Sequence, residues 1–346
     1  MRRLLNTIYV TSEDAWMRKE GANLVVESDG VEKGRVPLHM LEGVIGFGRP
    51  GASPALLAAC AEAGVAVSFL NPNGRFLARL EGARTGNVRL RRAQYRAADD
   101  PALTAAIVRN IVTSKAANQR TVLRRALRDY GATLEDKQRS ALDIAERRLG
   151  EMTRRALSAE DVATLRGLEG EAAANYFSVF DTLVRCEGPA FRFAGRSRRP
   201  PLDRINALLS FLYALLGHDC RSALEAHGLD PQVGFLHADR PGRASLALDM
   251  MEELRPVLAD RLALSMINRR QLEADDFMVE AGGSVMMKDD ARKRVLVAWQ
   301  ERKREYIRHP FLGETIAFGL VAHVQAQLLA RHLRGDLDGY PPFVWK

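Results

Sequence analysis

Apolar and polar positions alternate in two different rhythms along this chain. Through residue 82 the apolar residues come in short β-rich runs, at 4–11, 23–27, 35–39, 43–47, 65–70 and 75–80. Turn residues separate them, Ser28-Asp29-Gly30 and Asn71-Pro72-Asn73-Gly74, and the second turn joins two apolar runs as a hairpin does. One helix interrupts at 53–63, with Ser53 as its cap and Pro54 at its first position. After Gly82-Ala83-Arg84-Thr85-Gly86-Asn87 the period turns helical, over 101–130, 133–148, 161–184, 203–216, 245–254, 256–266, 289–307 and 316–334. Ala, Leu and Arg dominate these segments and favour helix. A hairpin at 277–287, around Gly282-Gly283, breaks the run. The pattern predicts an α+β chain: a small N-terminal β domain at 1–82, a linker at 83–97 and a larger helical domain at 98–346.

Composition narrows this picture. A length of 346 residues suits two domains or one large one, and buries a core without staples. With 47% hydrophobic and 27% charged residues, a disordered chain is excluded. Cys60, Cys186 and Cys220 show no C-x-x-C spacing, which excludes a disulfide framework and a thiolate zinc site and fits a reducing compartment. The opening MRRLLNTIYVTSEDAW lacks the apolar core of a signal peptide. The most apolar stretch, 205–216, is too short to span a bilayer, so the expected location is the cytoplasm. A net charge of +8 hints at a polyanionic partner.

Candidate chemistry concentrates at 234–256, GFLHADRPGRASLALDMMEELRP. His237 ends a turn-rich segment, and Asp249 follows twelve residues later on a helix starting near Ser245. Glu252 and Glu253 stand at i+3 and i+4 from it, on a shared face. Inside so apolar a run an unpaired Asp249 would be costly, and a metal ion or an Arg would offset that cost. The plainer alternative is that these acids face solvent. A second carboxylate, Glu169, lies between Gly167 and Gly170, which would let a ligand approach closely. Its plainer reading is a helix-start acid favoured by the macrodipole, and spacing alone does not choose between Glu169 and Glu171. If Glu169, His237 and Asp249 converge, two carboxylates and an imidazole suit Mg²⁺ or Mn²⁺. Neither G-x-x-x-x-G-K-[ST] nor G-x-S-x-G occurs, so a phosphate-cradling NTPase and a serine hydrolase have no support.

Two basic stretches complete the inventory. Residues 185–204 hold six arginines, Arg185, Arg192, Arg196, Arg198, Arg199 and Arg204, against Glu187 and Asp203, with Phe191, Phe193 and Pro200-Pro201 among them. By composition this is a loop that orders on a phosphate backbone; otherwise it is a solvated surface loop. Lys115, Arg120, Arg124, Arg125 and Arg128 fall largely along one side of a helix, as a stripe beside a duplex or as a solvated face. Tyr340, Phe343 and Trp345 close the chain in RGDLDGYPPFVWK, a tail packed on the helical domain or a docking element.

In their order and spacing these segments resemble the CRISPR-associated spacer integrases, the larger of the two near-universal adaptation proteins. The resemblance runs over nearly the whole chain. It is carried by LRGLEGEAAANYF at 165–177, NALLSFLYALL at 206–216, and GFLH followed by SLALDMMEELRP. The opening LLNTIYVT and the closing RGDLDGYPPFVWK are similar to the subtype I-C branch. The resemblance implies a β-sandwich-like N-terminal domain that dimerises and an all-α catalytic domain. It implies catalytic metal ligands at Glu169, from the G-x-E-G motif, at His237 and at Asp249. Many members carry a second acid three residues after that Asp; here it is Glu252, whose longer side chain is placed behind the metal. The implied activity inserts captured double-stranded DNA fragments into a CRISPR array by 3′-hydroxyl transesterification, and also cleaves DNA. The implied assembly is two homodimers bridged by one dimer of a small ferredoxin-like partner. Arg192, Arg196, Arg198, Arg199, Arg243, Arg255 and Lys288 are the candidate phosphate contacts. The competing readings are a structure-specific repair nuclease, a non-catalytic DNA-binding scaffold and, more distantly, a small-molecule metallohydrolase.

Overall fold

The computed structural model describes residues 6–12, 14–72, 74, 76–82, 88–186 and 188–345. Its N-terminal part holds eight described strands, β1 (Thr7–Val10), β2 (Trp16–Glu20), β3 (Asn23–Ser28), β4 (Val31–Pro37), β5 (Gly43–Phe47), β6 (Gly51–Ala52), β7 (Ala66–Leu70) and β8 (Phe76–Arg79). The expected helix is present as α1 (Pro54–Ala63), where the Ser53 hydroxyl accepts from the Leu56 N–H and Gly64 ends the helix at φ 69°. Strands β1, β5 and β7 are parallel neighbours, with α1 as the crossover between β5 and β7, and β8 closes that sheet antiparallel. The second sheet runs β4-β3-β2-β6. Val10, Met17, Leu24, Val44, Leu56, Cys60 and Val67 form one apolar core from both sheets and α1.

Strand β2 escapes the sequence pattern. Only Met17 of WMRKE turns fully inward, while Arg18 reaches across the sheet to Glu27 at 2.7 Å. Paired outward charges disguise a strand that lies between two others.

The larger part is helical, as expected: α2 (Val88–Asp99), α3 (Pro101–Tyr130), α4 (Asp136–Ser158), α5 (Val162–Ser178), α6 (Arg204–Ala226), α7 (Ser245–Leu254), α8 (Arg261–Asn268), α9 (Asp289–Arg304) and α10 (Val321–Leu333). The hairpin of β9 (Phe277–Val279) and β10 (Val285–Met287) stands where the period predicts it. A second hairpin, β11 (Tyr306–Arg308) and β12 (Thr315–Ala317), replaces helical ends expected at 307 and 316. Pro310 holds the preceding backbone extended there, against helix.

Helix α2 corrects the linker boundary. Residues 88–97 are helical, and 83–87 lie outside the described residues. Its sequence looks like linker because it buries Leu90 and Ala97 beside a polar Gln94 rather than an apolar stripe. Strand β5 is buried throughout: Val44 serves the N-terminal core, whereas Ile45 and Phe47 join the helical core, with Phe47 5.7 Å from the Phe211 ring. The helical part thus packs directly on the first sheet. Among the described residues no helix is long and apolar enough to cross a membrane.

Candidate metal centre

Three helices and one loop build the site. Helix α7 is buried on every side, and a π-helical turn at Arg255–Asp260 joins it to α8. That wider turn carries Pro256, whose missing N–H would otherwise interrupt an α-helical ladder. Before α7 runs the His237 loop, which has no regular structure of its own and is held from outside. Gln94, wholly buried on α2, donates to the Asp230 and Val233 carbonyls and accepts from the Asp230 N–H, each at 2.8 Å. Arg166 of α5 donates to the Leu236 carbonyl at 2.6 Å.

Gly234 lets this loop lie against α7. A Cβ there would stand 2.8 Å from the Ser245 carbonyl carbon and 2.9 Å from Asp249 Oδ2. Backbone cannot yield as a side-chain tip does. Gly234→Ala is therefore expected to lower stability by about 1–3 kcal/mol, read by thermal melting; an unchanged melting temperature would show that the loop has slack.

Asp249 is fully buried, and both of its oxygens are taken by the loop. Oδ2 accepts from the Phe235 and Leu236 N–H groups at 2.6 and 3.0 Å. Oδ1 accepts from the His237 N–H at 3.0 Å and from His237 Nδ1 at 2.6 Å. A carboxylate can only accept, so Nδ1 carries a proton and donates it to Asp249. The other ring nitrogen, Nε2, faces Glu252, whose Oε1 is 4.0 Å away.

Glu252 is 1% exposed and lies between two cations, Arg255 at Oε1 and Lys115 of α3 at Oε2, the latter at 2.5 Å. Burial pushes this carboxyl up, but Arg255 and Lys115 outweigh it and hold it at about 2. Lys115 also pairs with Glu169 Oε1 on α5. A Cβ at Gly167 or Gly170 would meet nothing within 4 Å, so the helix surface beside Glu169 is open. Glu171 points elsewhere, to Arg155 at 3.1 Å. Lys115 thus joins Glu169 to Glu252, and Glu252 Oε1 faces the His237 imidazole, with Asp249 behind that ring. Among the described residues no three His, Cys, Asp or Glu side chains converge on one empty point. The Lys115 ammonium stands between the two glutamates instead.

The family model for CRISPR associated protein Cas1 matches residues 8–301. The chain belongs to the Cas1 family. It is 59% identical over 347 residues to the CRISPR-associated endonuclease Cas1 2 of Rhodospirillum rubrum, covering 100% of both chains. Its fold is shared with a casposase bound to integration product, at a TM-score of 0.84, 22% identity and coverage of 99% and 95% of the two chains. It is also shared with a chain of a Cas6-RT-Cas1–Cas2 complex, at a TM-score of 0.83 and 24% identity, over 100% of this chain and 36% of that one.

The basic stripe of this Cas1-family chain is largely turned to internal use. Beyond Lys115, Arg120 and Arg124 reach Glu146 of α4 at 2.8 and 3.6 Å, and Arg128 pairs with Asp129 at 2.8 Å. The Arg125 guanidinium lies 3.7 Å over the Trp345 ring, and that of Arg261 lies 4.4 Å from it.

The arginine-rich loop is docked rather than waiting for a partner. Phe191 and Phe193 are buried, Asp181 accepts from the Phe193 N–H at 2.7 Å, and Asn206 Oδ1 accepts from Arg196 at 2.5 Å and from the Ser197 N–H at 3.0 Å. The expectation of a loop ordered only by DNA weighed its arginines and overlooked these anchors; Glu187 lies outside the described residues. Arg192, Arg198 and Arg199 remain exposed. Arg196 faces the Tyr213 ring at 5.2 Å, Arg243 bonds the Ala238 carbonyl of the His237 loop, and Arg255 is on Glu252. Lys288 is exposed beside a cavity lined by Thr11, Phe47, Met278 and Arg292, which includes none of the cluster residues.

The C-terminal tail packs on the helices that carry the site. Tyr340 donates to Glu253 Oε1 at 2.6 Å, while Gln325 and the Phe343 N–H donate to Oε2 at 3.0 and 2.8 Å. Asn118, one turn beyond Lys115, donates to the Glu253 and Phe343 carbonyls at 2.8 and 2.9 Å. Burial pushes the Glu253 carboxyl up to about 7 against those donors. A carboxyl raised on folding contributes fully below its unfolded value of 4.5 and loses that contribution as pH climbs through 7. Stability should therefore drop by roughly 3 kcal/mol on this account between pH 4.5 and 8. Glu253→Gln should remove that component from urea-unfolding profiles, and an unaltered profile would reject the assignment.

The sequence groups Glu169, His237, Asp249 and Glu252; in the structure Glu169 and Glu252 share Lys115, and Asp249 and Glu252 face His237. It misses Lys115 as a member of the cluster and Gln94 as the support of the His237 loop. The only signal for Lys115 was its register on α3, which equally suits an outward stripe. For Gln94 there was none, because its partners lie about 140 residues away in sequence, at Asp230 and Val233.

Proposed function

We propose that this chain is a divalent-metal-dependent DNA endonuclease and integrase that inserts foreign fragments as spacers into a CRISPR array. The observation that carries the reading is that Lys115 draws Glu169 to Glu252, and that Glu252 in turn faces His237 Nε2. A curated relative at 59% identity is named an endonuclease, and a casposase bound to integration product shares the fold.

The donor set fits Mg²⁺ or Mn²⁺. Two carboxylates and a neutral imidazole are the right chemistry, and a cation, Lys115, already stands between the carboxylates. On this reading Glu169, Glu252 and His237 Nε2 hold the metal. Asp249, expected as a ligand, instead fixes the tautomer and direction of His237, since four donors saturate its oxygens. Glu252, expected behind the metal, takes the ligand position. A divalent cation here supplies a lowered pKa for the attacking hydroxyl and neutralises phosphate charge. Arg255 and Lys115 keep Glu252 ionised at any working pH. Placing a DNA 3′-hydroxyl beside a phosphodiester gives strand transfer, and water in its place gives cleavage.

Exposed Arg192, Arg198 and Arg199 are the phosphate contacts on this surface, positioning duplex DNA without reading its sequence. The assembly proposed is a homodimer through the N-terminal strands, bridged by a small ferredoxin-like adaptation partner; a Cas1–Cas2 complex among the structural neighbours supports it. The opening and closing motifs support membership of the subtype I-C branch, and the proposed place of action is the cytoplasm. The test is strand transfer and nicking of supercoiled plasmid carrying a CRISPR repeat, with Mg²⁺ or Mn²⁺, with and without the small partner. Activity that requires the metal and disappears in folded His237→Ala supports the reading, and metal-independent activity overturns it.

Salt dependence gives an independent check. Replacing Arg198 and Arg199 together by Ala should reduce the slope of log affinity against log salt by about 2, equally for unrelated duplexes. Fluorescence anisotropy at several salt concentrations reads this, and an unchanged slope would remove the loop from the DNA path.

A further inference from the structure

Lys115 leaves α3 toward the interior and is 5% exposed. Its ammonium pairs with Glu252 Oε2 at 2.5 Å and with Glu169 Oε1. These are the carboxylates that, on the reading above, hold the metal, and the present inference rests on that reading. Lys115 occupies one oxygen of each glutamate, and a divalent cation drawn to the same two carboxylates competes with the ammonium for them and is repelled by it. We infer that Lys115 is a resident counter-cation, which holds Glu169 and Glu252 together before the metal arrives and is displaced from them when it binds.

The geometry says which part moves. Asn118, one turn further along α3, is bonded to the Glu253 and Phe343 carbonyls and receives the Trp345 N–H at 2.8 Å. The helix backbone is thereby tied to α7 and the tail. Glu252 retains Arg255 whatever Lys115 does. What can yield is the flexible four-carbon stem of Lys115. The metal therefore competes with an internal charge, and its affinity is set by how firmly Lys115 holds the two glutamates as well as by the ligands.

The direction of this effect is opposite to that of structural damage. Removing a merely supporting side chain loosens the site and weakens metal binding. Removing a competitor tightens it, while leaving the metal-free protein less stable because Glu169 loses its ion-pair partner and Arg255 alone then offsets Glu252.

The experiment titrates Mn²⁺ alone into the full-length chain by calorimetry, without DNA, for wild type, Lys115→Met, Lys115→Gln and Glu252→Gln. Each protein is also melted in EDTA and in saturating Mn²⁺. The expected result is Mn²⁺ binding about tenfold tighter in both Lys115 variants, with a lower melting temperature in EDTA and a larger gain from Mn²⁺ than wild type. Equal or weaker binding in both folded Lys115 variants, with wild type and Glu252→Gln behaving as ligand and ligand loss, would overturn the counter-cation role alone. No Mn²⁺ binding by wild type, or binding that Glu252→Gln leaves intact, would overturn the metal reading and this inference together.

Discussion

Glu252→Gln is expected to reduce metal-dependent strand transfer and cleavage about 10³-fold, the several kcal/mol of charge stabilisation that a bound cation contributes. Gln keeps the size and removes the charge, so Arg255 and Lys115 are left facing an amide. Asp249→Asn should lose about 10–100-fold, as expected for a group that orients a ligand rather than being one. The amide retains one carbonyl oxygen for the four donors that converge on Asp249. The contrast separates the two acids, which stand only three residues apart. A plasmid assay at saturating Mn²⁺ reads both variants. If Asp249→Asn proves the more severe, Asp249 is the ligand after all and the proposed exchange of roles is wrong.

Asp249 also matters for stability. Asp249→Ala should cost about 4 kcal/mol in urea unfolding, because it leaves three backbone N–H groups and the His237 ring donor without an acceptor in a buried place. With no carboxylate behind it, the His237 loop loses its attachment to α7 and retains only Gln94 and Arg166. A cost below about 1 kcal/mol would show that water replaces those bonds and that the loop is held elsewhere. The consequence for activity assays is direct. Loss of function in Asp249→Ala is not by itself evidence of a ligand, whereas a loss in the isosteric Asn variant that exceeds that of Glu252→Gln is.

Sequence alone determined what local chemistry settles. The shift from strand-length runs to helical period separates the two parts, and helix α3 and helix α7 begin and end where Pro101, Ser245 and their periodicity place them. The hairpin at 277–287 and the cap at Ser53 are likewise set by a few neighbouring residues. The motif segments also brought Glu169, His237, Asp249 and Glu252 together as one candidate site. Tertiary structure decided the contacts within it. Helix α7 is buried almost all round, so the helical period marks no solvent face, and the preference for Asp249 over Glu252 as ligand rested on the motif resemblance alone. Backbone donors of the loop at 235–237, pressed onto α7 where Gly234 leaves room, claimed Asp249 and left Glu252 to meet Lys115 and Arg255. The same holds for Lys115, for Phe191 and Phe193 in the arginine-rich loop, and for the polar α2. Their partners come from distant parts of the chain, and a buried charge or hydrogen-bonding group takes its role from whichever opposite group packing brings within reach.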